Sequence, residues 1–397
     1  MPTLPLDDAP APVLSLDRAI GRTRRAKGGA RPMRIALVST CAVDVPPRAY
    51  GGTELFVADL ARGLVAHGHE VVVYATGSSS PAGELRWRFA RPIWPPSRTY
   101  ETEHAAWAWR DIASRSVDLV HVNGPEALVA SNRLDIPTVV TVHHARNEEA
   151  NAMMLSAAPA HVVAISRRQG ELIPELGVAS VVHHGLETRL YPRGRGDGGY
   201  VAFLGRLSRE KGAHIAIDVA ADLGIPLRIG GPYWPGVPEQ DEYFHEHIRP
   251  RLERGGRDLE WLGELGHDAK MKLLGGASAT LMPIEWEEPF GLVMIESMLA
   301  GTPVVAFARG SAPEVIDDGV TGFLVEDAAE MRARVAEAQG LDRHACRARA
   351  LERWSAERMT RDYEDVYHRL ISRDDDTVDP DGGSWSGRPA TARTDAA

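Results

Sequence analysis

Short apolar runs alternate with stretches whose apolar residues recur every three or four positions, and this alternation occurs twice along the chain. The first series of runs is Ile35 to Ser39, Val71 to Ala75, Leu119 to Val122, Thr138 to Val142 and Val162 to Ile165. The second is Tyr200 to Leu204, Leu227 to Gly230, Leu259 to Leu262, Thr280 to Met282, Val304 to Ala306 and Phe323 to Val325. Runs this short and this apolar predict strands of parallel sheets covered on both faces. Between them, Phe56, Val57, Leu60 and Leu64 share a helical face behind Thr53, the expected N-cap. Ile215, Val219, Ala220 and Leu223 do the same across Ala213 to Leu223. Such alternation predicts doubly wound α/β structure.

Tyr191 to Gly199, YPRGRGDGG, separates the two series and reads as a linker. Two domains are therefore expected, 33–190 and 200–354. A last helix over 355–371 is predicted by Trp354 and Met359 stapling around Ser355, then by Tyr363, Val366, Tyr367 and Leu370 at helical spacing. Both ends read as disordered. Residues 1–32 are rich in Pro and Ala with a basic cluster from Arg22 to Arg31, and 373–397 begin with Asp374 to Asp376 and continue in Gly, Ser and Pro.

A length of 397 residues, 44% of them hydrophobic and 25% charged, fits a two-domain globular protein. The net charge of −10 argues against broad nucleic-acid binding. Cys41 and Cys346 form neither a disulfide framework nor a ligand cluster. No apolar run reaches the length of a membrane span and no signal-peptide pattern opens the chain, so a soluble, cytoplasmic protein is expected. The basic N-terminal stretch leaves weak contact with anionic lipid as an alternative to a mere tail.

Candidate chemistry concentrates at Pro283 to Gly301, PIEWEEPFGLVMIESMLAG. A strand end, a Pro-Phe-Gly breaker and an apolar helix closed by Gly301 and Pro303 put Glu288 just before the helix. Glu296 follows inside it, roughly 7 Å further along the axis. Free N–H groups at Gly291 and Leu292 would suit a phosphate, and carboxylates on either side would suit hydroxyl donors. A nucleotide sugar carries that order of groups: hexose, diphosphate, ribose. The bland alternative pairs Glu296 with a neighbouring Arg inside an ordinary buried helix.

A second stretch, GRLSREKG at Gly205 to Gly212, delivers Arg206 and Lys211 from a strand end, where crevices form in open α/β sheets. It is not a P-loop, because Lys211 is followed by Gly and Ala. Gly51 and Gly52 make a glycine loop after the first strand, without the G-x-G-x-x-G of dinucleotide binding. His121, His143, His144 and Ser166 fall at or near strand ends. Neither H-E-x-x-H nor C-x-x-C occurs, and no D-x-D lies in a segment expected to be ordered, so no metal site is expected. Trp87, Trp94, Trp107 and Trp109 cluster between Glu84 and Ser116, where core packing and stacking on an acceptor compete as explanations.

The E-x7-E spacing around EPFG, the GRL-x-x-EKG loop and the words GTPVVAFARGSAPEVIDDGVTGFLV resemble glycosyltransferase family 4, the group 1 retaining glycosyltransferases. The resemblance covers roughly Met33 to Leu370. It implies a GT-B fold, two Rossmann-like domains facing each other across a cleft, with the donor mainly in the C-terminal domain and the acceptor in the N-terminal one. It further implies that Gly51 and Gly52 reach across the cleft and that His143 contacts the donor sugar. Arg206 and Lys211 would clamp the diphosphate, Leu262 and Gly263 would present backbone to the base, and the Glu288–Phe290–Gly291–Leu292–Glu296 segment would hold sugar and ribose. The last helix would cross back onto the first domain. The expected activity is metal-independent, cofactor-free transfer of a hexose from a nucleotide diphosphate sugar to a hydroxyl of a small-molecule, glycan or lipid-linked acceptor. A nucleotide-sugar epimerase and a non-catalytic nucleotide-sugar binding protein are the alternatives.

Overall fold

The computed structural model describes residues 31–131 and 135–377. Two parallel sheets carry the fold. The first contains β1 (Arg34–Val38), β2 (Glu70–Ala75), β3 (Glu84–Trp87), β4 (Leu119–Val122), β5 (Thr138–Val142), β6 (His161–Ala164) and β7 (Ser180–Val181), in the order β3-β2-β1-β4-β5-β6-β7. The second contains β8 (Val201–Leu204), β9 (Leu227–Gly230), β10 (Leu259–Trp261), β11 (Thr280–Met282), β12 (Val304–Phe307) and β13 (Gly322–Val325), in the order β10-β9-β8-β11-β12-β13. Apolar clusters cover both faces of each sheet, which is why the strands are apolar at successive positions rather than alternating.

The order of strands reverses between β1 and β4 in the first sheet and between β8 and β11 in the second. Loops leaving the carboxyl ends of strands flanking such a reversal diverge and leave a crevice. Here the loops after β1 and β4 and those after β8 and β11 do so, and loops from both domains line one cavity.

Several local expectations change. The helix behind β1 spans Gly52–Ala66 with Gly51 as its cap, so Thr53 lies in the first turn. Gly51 takes the cap because its φ of 151° turns the chain where a side chain would be strained. Glu84–Trp87, within the tryptophan-rich segment, forms the edge strand β3, and a helix follows at Arg98–Ile112. The last helix runs from Ala356 to Thr377 and takes in Asp374 to Asp376, which sequence reading left to a tail. No Gly or Pro interrupts the chain between Trp354 and Pro380, so nothing stops the helix where its packed stripe ends. Met359, Tyr363, Val366 and Tyr367 of this helix are buried in the core of the first domain. Tyr367 and Tyr363 hydroxyls bond His121 Nδ1 at 2.7 Å and Thr141 Oγ1 at 2.8 Å. The C-terminal end of the chain therefore completes the N-terminal domain. Of the expected tails, 1–32 and 373–397, residues 1–30 and 378–397 lie outside the described residues.

Candidate active site

A cavity of about 680 Å³ lies between the domains, lined from both. On the C-terminal side, the helix Leu292–Leu299 points its N-terminus into it, with Gly291 left-handed at φ 76° as the cap. No side chain caps that end, so its N–H groups and positive dipole end are available to an anion. Glu288, only 8% exposed, precedes the turn and is ion-paired to Lys211. It also accepts a hydrogen bond from Trp286 Nε1 at 2.8 Å. Glu296, one turn into the helix, accepts from Lys270 Nζ at 2.6 Å. Arg206 bonds Glu210 and lies 5.7 Å over Trp234. Three cations and two carboxylates thus share one wall, each carboxylate holding one lysine.

The EPFG turn is held from behind. The Ser311 amide donates to the Glu288 carbonyl at 2.9 Å and the Ser311 hydroxyl to the Phe290 carbonyl at 2.7 Å. Gly310 packs so closely that a Cβ there would lie 2.3 Å from the Glu288 nitrogen. Phe290 is buried against His184 and Trp354, so it anchors the turn in the domain interface.

On the N-terminal side, the Gly51–Gly52 loop reaches the other domain: a Cβ on Gly52 would sit 3.4 Å from Leu292. The Tyr50 amide donates to Glu264 at 3.2 Å, and Tyr50 and Trp94 both pack edgewise or tilted on Trp234. His143 follows β5, bonds Asn123 Oδ1 at 2.9 Å and stacks on His184. Burial and the neighbouring His184, His121 and His144 hold its imidazole well below the ordinary histidine range, so it is neutral. Glu54 accepts from Thr40 Oγ1 at 2.5 Å, and burial raises its carboxyl above the usual range. Glu101 is pushed up to about 7 by burial and by the nearby Glu126 and Glu54 carboxylates, which together outweigh the bonds it takes from Cys41.

Glu314 ties the domains together outside the cavity. Its carboxylate accepts from the amides of Arg167 and Arg168 and from His183 Nε2 at 2.8–2.9 Å. Burial opposes ionisation, yet those bonds bring the group down to about 2.

The sequence profile of the family described as Glycosyl transferases group 1 matches residues 193–345, and that of Glycosyltransferase Family 4 matches residues 50–190. The chain belongs to the group 1 glycosyltransferases. It is 27% identical over 354 residues to the glycogen synthase of Mycobacterium tuberculosis (strain CDC 1551 / Oshkosh), covering 73% of this chain and 81% of that one. Its structure is similar to that of AviGT4, a glycosyltransferase involved in avilamycin A biosynthesis, with a TM-score of 0.64 and 25% identity over 86% of this chain and 98% of that one. It also resembles Anabaena Alr3699/HepE, determined in complex with UDP-glucose, with a TM-score of 0.66 and 21% identity over 85% of this chain and all of the other. The two facing domains are a GT-B fold. These relationships do not favour the epimerase or the non-catalytic reading.

In this glycosyltransferase the structure gathers Gly51, Gly52, His143, Arg206, Lys211, Glu288, Phe290, Gly291, Leu292 and Glu296 around one cavity. Leu262 and Gly263 do not line it; the next residues, Glu264 and Leu265, do. Leu262 is instead a strand-end residue whose amide bonds the Ile229 carbonyl. Ser166 is buried and caps the helix Arg167–Leu172, accepting from the Gln169 amide at 3.1 Å. His121 is fully buried in the core beneath Tyr367. The tryptophans divide: Trp109 is core and donates to the Ala127 carbonyl, Trp107 packs on Tyr74, Trp87 is exposed, and Trp94 lines the cleft. Sequence reading missed Lys270, Glu54, Glu101, Trp234 and Trp286. Trp286 stands within the Pro283 to Gly301 stretch without having been singled out there, and the other four carry only the signal of a position just beyond a strand or near a helix start. Among the described residues no group of His, Cys, Asp and Glu is arranged to hold a metal ion, and no helix is long and apolar enough to cross a membrane.

Proposed function

We propose that this glycosyltransferase moves a hexose from a nucleotide diphosphate sugar to a hydroxyl acceptor with retention of anomeric configuration and without a metal ion. The observation that carries the reading is the paired arrangement Lys211–Glu288 and Lys270–Glu296 on either side of an uncapped helix N-terminus. A diphosphate at that terminus would take Lys211 from Glu288, and a sugar hydroxyl would replace the lysine as donor to the carboxylate. Glu296 would hold the ribose. Arg206, Lys211 and the helix end would stabilise the charge that develops on the leaving nucleoside diphosphate. Metal-independence rests on these cations, which supply the neutralisation a divalent ion would otherwise give. For retention, a donor phosphate oxygen on the same face as the acceptor would take the incoming hydroxyl proton, and neutral His143 would hold the sugar without adding charge. The neighbour bound to UDP-glucose supports a nucleotide-sugar donor of this class.

Thermal shift with UDP, GDP, ADP and dTDP in EDTA identifies the base; a ligand at 100 times its Kd adds about 2.7 kcal/mol. Glu288→Ala is expected to abolish transfer while sparing nucleoside diphosphate binding, and equal loss of both would refute the sugar-end assignment. Turnover is expected to survive chelation. Loss in EDTA, restored by magnesium or manganese, would overturn metal-independence.

A further inference from the structure

We propose that a second cavity, entered from the donor cleft past His143, takes a small polyhydroxylated acceptor carrying an amino group and rejects its phosphate esters; this rests on the donor reading above. The cavity measures about 400 Å³ and lies wholly in the N-terminal domain, between the loops after β1, β4 and β5 and the helix Arg98–Ile112. It shares Thr40, Thr53, Glu101, His143 and His144 with the larger cavity, so a molecule in it can present a hydroxyl to a donor sugar. Its volume is at the small end of ligand pockets, roughly 300–1,000 Å³.

Its charge is lopsided. Glu101 and Glu126 line it, and Glu54 sits behind Thr40. Among the described residues Arg98 is the one Lys or Arg in its wall, and it is already ion-paired to Glu126 at 3.4 Å and to Glu149. His104 and His143 are held neutral by burial, His104 at about 4. A phosphate ester entering here would meet carboxylates and, among the described residues, no uncommitted cation, whereas an ammonium would relieve their mutual repulsion.

A second feature points to a hydroxylated ligand. Ser39, 4% exposed, lines the cavity, and neither its hydroxyl nor Nε2 of His144 in the same wall has a partner among the described residues. Buried polar atoms without partners are costly, and ligand hydroxyls that both donate and accept would satisfy them.

The test is calorimetric titration of the full chain with glucosamine, glucose and glucose 6-phosphate, with and without saturating nucleoside diphosphate. Glucosamine is expected to bind at least tenfold more tightly than glucose 6-phosphate, with glucose between them. Glu126→Gln is expected to shrink the advantage of glucosamine over glucose at least threefold while leaving nucleoside diphosphate affinity unchanged. Glu101→Gln should shrink the same advantage; if it fails to fold, Glu126→Gln carries the test. A smaller ratio, tighter binding of the phosphate ester, no binding of any probe, or an unchanged ratio in Glu126→Gln overturns the inference. Failure of every nucleoside diphosphate to bind would instead overturn the donor reading, which the probe titrations without nucleotide do not depend on.

Discussion

Replacing Gly310 by alanine asks whether Glu288 owes its place to a residue that touches no substrate. Gly310 is left-handed at φ 57°, where a side chain costs about 1–2 kcal/mol. Its Cβ would stand 2.3 Å from the Glu288 nitrogen and 2.4 Å from the Glu288 oxygen, against a practical limit of 3.0 Å. The Glu288 backbone must therefore retreat by about 0.7 Å, the difference between those distances. Both obstacles are backbone atoms, so no side chain can rotate away to absorb the overlap. Overpacking of this kind costs about 1–3 kcal/mol, which with the strain gives about 2–5 kcal/mol in all. Misplacement of a reacting group by about 1 Å can cost on the order of 100-fold in rate. We expect Gly310→Ala to lower the thermal transition of the C-terminal domain and, below that transition, to reduce kcat by about 30–100-fold. Nucleoside diphosphate affinity should change less, because Arg206 and Lys211 come from a different loop. Steady-state kinetics beside nucleotide titration reads this out. A variant with kcat within threefold of the parent would refute the claim that Gly310 sets the position of Glu288. So would one whose nucleotide affinity falls as far as its kcat.

Two further expectations concern the N-terminal domain and its returning helix. Alanine normally stabilises a helix interior by about 1 kcal/mol over glycine, but a Cβ on Gly63 would fall 2.0 Å from Thr360 Oγ1 of the last helix. Gly63→Ala should therefore lower the urea midpoint, with partial recovery in the Gly63→Ala, Thr360→Ala pair, and a raised midpoint would contradict the packing. His121, fully buried between Tyr367 and Thr141, is held at about 3 by burial. Below its ordinary value near 6.5 the unfolded chain binds a proton that the folded chain refuses, so stability is lost as pH falls, by at most about 1.4 kcal/mol per pH unit. His121→Gln should flatten the dependence of unfolding free energy on pH between 5 and 6 by about that amount, whatever its effect on stability itself. Identical slopes for parent and variant would refute a neutral buried imidazole.

Much of the scaffold was legible in the chain because its cues are local. Continuous apolar runs placed nearly every strand within a residue or two, and apolar spacing placed the helix Ala213–Leu223 with its ends. The breaker at Pro289 to Gly291 fixed the start of the helix carrying Glu296 and put Glu288 just before it. Family resemblance, rather than periodicity, supplied the return of the last helix to the first domain. What the sequence could not determine is which groups face one another. Glu288 meets Lys211 from the other side of a strand reversal, and Glu296 meets Lys270 from a helix that bears no motif. Tyr50, Trp94 and Trp234 assemble from three separate loops. The raised carboxyl of Glu54 arises from burial, that of Glu101 from burial and from the charges of Glu126 and Glu54, and Gly310 matters only because another loop lies against it. Hydrophobic period and turn chemistry act over a few residues and are written along the chain. Desolvation, Coulomb interaction and steric contact act through space, and only the folded structure sets those distances.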